Sequence, residues 1–95
     1  MKVSNMINSS GNAVANQFII TSRNSTGSTT IFQSYDSAIV RVIRKDGKLS
    51  KTYLDRNTWD YSTTTGKYRN IFLGENKAAT QAKIDSGEYV LADLN

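Results

Sequence analysis

The chain has 95 residues, 38% of them hydrophobic and 21% charged, with twelve Lys and Arg against eight Asp and Glu for a formal net charge of +4. That length holds one hydrophobic core and not two, so residues 1–95 read as a single domain. Cysteine and histidine are both absent, which excludes a disulfide framework, a thiolate nucleophile, a cysteine metal site and the side chain best suited to proton transfer near neutrality.

Residues 1–13 are polar, with a turn signal at Ser9-Ser10-Gly11-Asn12, and read as a flexible arm or a weakly held first element. They contain no apolar run long enough for a signal peptide or a membrane span, so neither is expected. Gln17 to Arg23 and Thr29 to Gln33 are rich in Phe, Ile and Thr and flank an Asn-Ser-Thr-Gly-Ser turn, the pattern of a β-hairpin. Ser37 to Arg44 and Leu49 to Leu54 form a second hairpin around Asp46-Gly47, a dipeptide suited to two positive φ angles. After a polar loop carrying Trp59 and Tyr61, the residues Tyr68, Ile71 and Phe72 fall at i, i+3, i+4 and predict a short helix, with Ser62 to Thr65 offering N-cap hydroxyls and Gly74 as its C-terminal stop. A second helix is expected over Asn76 to Asp85, ended by Ser86-Gly87, and Glu88 to Ala92 as a last strand. The expected fold class is α+β: a small antiparallel β-sheet of about four to five strands in the order ββββααβ, with two short helices packed on one face.

A regular register about Asp46-Gly47 pairs Lys45 with Lys48, Arg41 with Thr52 and Val40 with Tyr53. It puts Val40, Val42 and Tyr53 on the core face, with Arg44 and Lys51 near its end. Arg41, Lys45 and Lys48 then share the other face with Ser50 and Thr52 as an exposed basic strip. Phe18, Ile20, Phe32, Ile71, Phe72, Ile84 and Val90 also fit an inward pattern.

Residues 41–69 carry eight Lys and Arg against three Asp, so the middle of the chain is drawn to an acidic protein face or a phosphate backbone. Arg56, Lys67 and Arg69 extend the strip if the loop over 55–62 folds back, and Tyr35 and Trp59 mark the next candidate surfaces. Aromatic side chains interleave with cations here, as single-stranded nucleic acid requires, although Tyr53, Tyr68 and Trp59 equally suit a core. Thr64-Thr65-Gly66-Lys67 resembles the end of a phosphate loop, but Tyr61 replaces its leading glycine and Tyr68 its magnesium-binding hydroxyl. The carboxylates are not spaced as a metal site or an acid–base dyad. Neither a cofactor nor an enzymatic activity is expected.

At FQSY (Phe32 to Tyr35), WDYSTTTGKYRNIFLGE (Trp59 to Glu75), KIDSGEYVLADLN (Lys83 to Asn95) and VANQFIIT (14–21) the chain resembles small proteins of tailed bacteriophages placed in a family of unknown function. The resemblance implies a phage origin and expression in the cytoplasm of the bacterial host, and no mechanism. In that setting the leading expectation is a non-enzymatic accessory protein that binds and inhibits or redirects a host protein. Its partner would be a host bacterial protein, a nucleic-acid-handling one among the candidates, in host takeover or anti-defence such as anti-CRISPR or anti-restriction. A small protein binding single-stranded DNA or RNA is the alternative, and a virion or assembly component the third.

Overall fold

A computed structural model describes residues Met1–Asn95. Along the chain run β1 (Lys2–Ile7), β2 (Ala13–Arg23), β3 (Gly27–Ser34), β4 (Ser37–Lys45), β5 (Lys48–Asp55), α1 (Thr63–Leu73), α2 (Lys77–Ser86) and β6 (Tyr89–Ala92). All six strands join one sheet in chain order. The α+β class with both helices on one face is as expected, but the sheet has six strands and is mixed. Pairs up to β4–β5 are antiparallel, whereas β5 and β6 are parallel, because a crossover through two helices is long enough to bring the chain back in the same direction. The polar opening residues supply the edge strand β1, whose Met6 is buried.

Asp46 and Gly47 both adopt positive φ, 54° and 77°, as a two-residue turn matched to the sheet twist requires. Lys45 faces Lys48 as expected, but the register slips between Ile43 and Arg44. Ile43 then pairs with Lys51, Val42 with Thr52 and Val40 with Leu54. Ser50 is the extra residue of a bulge, and one extra residue exchanges the two faces of everything beyond it. Thr52 and Leu54 therefore point into the core, 4% and 0% exposed, while Lys51 and Tyr53 move to the far face beside Ile43 and Arg41. The regular hairpin expected from sequence is wrong from residue 50 onward.

The core is Phe32, Val40, Val42, Leu54, Ile39 and Met6 from the sheet, with Tyr68 and Tyr89. Helix α1 lies over β3: the Phe72 ring stands 5.7 Å from that of Phe32, and Ser34 Oγ meets Thr65 Oγ1 at 2.9 Å. Ser62 caps α1 by accepting from the Thr65 amide at 3.1 Å, and Asn76 caps α2 through Ala79 at 2.8 Å. Gly74 and Gly87 close the two helices in the left-handed region.

Not every expected inward residue is inward. Helix α1 buries Thr65, Tyr68 and Arg69 and leaves Ile71 53% exposed. In β2, Ile19 pairs with the core residue Phe32, so strand alternation turns Phe18 and Ile20 to the other face; Val90 follows Tyr53 there. Glycine is required at position 27, where a Cβ would overlap the Arg44 carbonyl oxygen of β4.

Candidate functional site

With both helices on the Phe32 side, the opposite sheet face is left without a covering element. One continuous row crosses it from edge to edge: Val3, Ile20, Ile31, Arg41, Tyr53 and Val90, each opposite the next. Apart from Val3, which is 56% exposed, these side chains are half-buried by their own neighbours. Ile43 and Lys51 form part of the adjoining row. Arg41 thus sits in the middle of an aliphatic stripe, beside the ring of Tyr53, and has no carboxylate within ion-pair distance.

Charge is sorted along the molecule. The ion pairs belong to the helical layer and the loops beside it: Lys77 with Asp60 at 2.6 Å, Lys83 with Glu75 at 2.7 Å, and Arg56 with Asp93 at 3.0 Å. Lys2, Arg23, Arg41, Arg44, Lys45, Lys48 and Lys51 lie on the strands and are in no ion pair. Arg41, Lys45, Lys48 and Lys51 share the open face. Arg23 and Arg44 lie on the helix side, flanking Ser28 in one row, next to the turns at 24–26 and 46–47. Asp46 is the one carboxylate at that end, and it is held in the turn. Like charges left unpaired along the strands of a small domain produce a field that draws in an anionic partner.

The remaining sequence candidates stand elsewhere. The loop after β5 folds towards the helices and not beneath the sheet, so Arg56, Lys67 and Arg69 do not extend the strip. Arg69 is 1% exposed; it donates to the Trp59 carbonyl at 2.6 Å and to Asn70 Oδ1 at 2.9 Å. Burial lowers its pKa, and Asp60 opposes that. Trp59 is half-buried against the core with the guanidinium 5.2 Å from its ring centre. Arg56 is tied to Asp93, and Lys67 rests over the Tyr68 ring of α1 at 5.4 Å. Tyr35 is 50% exposed in the β3–β4 turn, with φ of 56°, at the end of the sheet away from Lys45 and Lys48.

Sequence reasoning missed Lys51 and Tyr53, assigned to the core by a regular hairpin, and did not single out Lys2, Arg23 or Arg44. One signal pointed to the bulge: a regular register leaves Leu54 facing outward, whereas a slip of one residue sets it against Val40.

Two carboxylates, the buried Asp55 and the half-buried Glu75, belong to the framework. Burial acts to raise the pKa of Glu75, but hydrogen bonds from Lys83, Thr80 and Tyr89 outweigh it and hold the carboxyl below its ordinary value. Asp55 is likewise lowered against burial, by the Leu94 amide, the Thr58 hydroxyl and the Asn57 amide. No three acidic side chains gather into a set that could hold a metal ion, and neither helix is long and apolar enough to cross a membrane.

The fold and surface define a small α+β protein whose single sheet is clad by helices on one face and left open, with unpaired cations, on the other. Residues 1–88 match the family of unknown function DUF8033, and the chain belongs to that family. No curated protein and no solved structure gives a significant match.

Proposed function

We propose that this protein is a non-enzymatic binding module that docks an acidic-rimmed protein partner on its open sheet face. The observation that carries the reading is the row Val3, Ile20, Ile31, Arg41, Tyr53, Val90, with its flanking cations in no ion pair. Tyr53 is the one ring in a row otherwise aliphatic but for Arg41, so successive bases would find no series of π faces on which to stack. An apolar patch with arginine and tyrosine anchors is instead the composition of protein interface centres. Two copies meeting face to face would set Arg41, Lys45, Lys48 and Lys51 against the same cations, which favours a different, acidic partner.

The likeness of the FQSY and WDYSTTTGKYRNIFLGE segments to small tailed-phage proteins extends the reading: the partner is a bacterial host protein met in the host cytoplasm, and the consequence of binding is takeover or anti-defence.

The test is a double charge reversal, Arg41→Glu with Lys48→Glu, assayed against a host protein first identified by affinity capture and then purified. Lys48 is exposed and Arg41 half-buried with no ion pair to lose, and surface substitutions of this kind change stability by only about 0.5 kcal/mol each, so the variant keeps its melting temperature within a few degrees while losing the partner. A folded double variant with parental affinity overturns the assignment. A salt-sensitive shift of generic single-stranded DNA or RNA by the parent, with no protein partner, selects nucleic-acid binding instead.

A further inference from the structure

The helix-clad face is not fully clad. Between the last turn of α1 and the sheet runs an open groove of about 680 Å³. Met6, Val42 and Tyr89 form its buried floor, and Ile7, Leu49 and Ile71 stand along it at 55%, 60% and 53% exposure. Three of the most exposed large apolar side chains of the protein therefore converge on one depression, an arrangement that soluble proteins reserve for contact surfaces. The lining includes no carboxylate and one guanidinium, that of Arg44, which has no ion-pair partner. Arg23 lies in the same cross-strand row as Arg44, and Lys2 faces Thr21 one row further in.

The groove reaches from Met6 on β1 to Leu49 on β5. Four strand spacings make that roughly 19 Å, the length of about 13 helical residues. Helix α1 covers the Phe32–Ser34 end of β3 and α2 lies beside β6, while the groove crosses β3 at Thr30 beyond the last turn of α1, so this stretch is where a third helix of the layer would lie.

We propose that the groove seats an acidic amphipathic helix contributed by a partner protein. A helix lays an apolar stripe into such a groove and keeps its other side in water, whereas a small amphiphile in an open trough would leave its own apolar surface wet. The unpaired Arg44, with Arg23 and Lys2 beyond it, selects acidic residues on the flank of that helix. The site is on the face opposite Arg41, and it stands whether or not the open face binds a protein.

The test is a methyl and amide NMR titration of the full chain with a synthetic peptide of roughly 14 residues, helical, with leucines at i, i+3, i+4 and i+7 and glutamates on its flanks. Controls are the same peptide with lysine for glutamate, a scrambled peptide without the stripe, and sodium decanoate. The acidic peptide is expected to shift the methyls of Ile7, Val42, Leu49 and Ile71 and to leave Ile20 and Ile31 in place. Leu49→Asp with Ile71→Asp, both at exposed positions, should weaken it by about tenfold or more, and Arg44→Glu should remove the preference for acidic over basic peptide. The proposal is overturned if the acidic peptide does not bind, if the lysine or scrambled peptide binds equally well, if the shifts fall on Ile20 and Ile31, or if decanoate occupies the groove more tightly than the peptide. The comparison of the four probes on the parent protein decides the matter even if an aspartate variant fails to fold.

Discussion

The guanidinium of Arg69 lies 5.2 Å from the centre of the Trp59 ring and donates to the Trp59 carbonyl at 2.6 Å. One side chain thereby fixes the loop after β5 to the middle of α1, using both the π face and the backbone of the same residue. Arg69→Ala leaves that carbonyl and Asn70 Oδ1 without their donor, leaves Asp60 to Lys77 alone and opens a void beside the core. The expected cost is about 3 kcal/mol, read as a lowered urea midpoint. Arg69→Lys should recover only part of it, because an ammonium cannot serve the carbonyl and Asn70 in one plane. Full stability in the alanine variant would mean that the loop is held by Trp59 packing alone.

The bulge at Ser50 makes a sharper prediction. Deleting Ser50 turns the second hairpin into a regular one while Ile43 still meets Lys51, Val42 still meets Thr52 and Val40 still meets Leu54. The shortened protein should keep its fold, with a melting temperature within a few degrees of the parent. Deleting Tyr53 leaves Leu54 opposite Val40 only if Lys51 takes the place of Thr52 against Val42, a charge in the core; that variant should be unfolded. Equal damage from the two deletions would sink the face assignment of β5.

Acid should destabilise the protein through Glu75 and Asp55. Both carboxyls are held below their ordinary values of 4.5 and 3.8 in the folded state, so they bind protons more readily when the chain is unfolded. Their contribution is complete above the ordinary values and is lost as pH falls through the lowered folded ones. Thermal melts between about pH 7 and pH 2 should show a melting temperature that is level near neutrality and falls steeply below about pH 4. Glu75→Gln combined with Asp55→Asn should flatten the acid limb and lower the neutral plateau. An unchanged acid slope in that variant would place the sensitivity in other carboxyls.

Local chemistry made much of this protein legible in its residues. Asp46-Gly47 demanded a tight turn, Gly74 and Gly87 ended two helices, and runs of β-branched and aromatic residues marked the strands, because each depends on a few neighbouring dihedral angles and cap hydrogen bonds. The α+β class followed from the order of those elements. What only the tertiary structure decided was which side of each strand became the core. Phe18 and Ile20 alternate with Gln17 and Ile19, and both sets are plausible core residues until β3 fixes Ile19 opposite Phe32. The single unpaired Ser50 then sent Thr52 and Leu54 inward and Lys51 and Tyr53 outward, which no periodicity of period two can foretell. The open row around Arg41 is built from residues on all six strands, and the helix-side groove from strands β1 to β6 and the end of α1. Such surfaces exist only once distant segments are in register, since a sequence records neighbours along the chain and a binding face is made of neighbours across it.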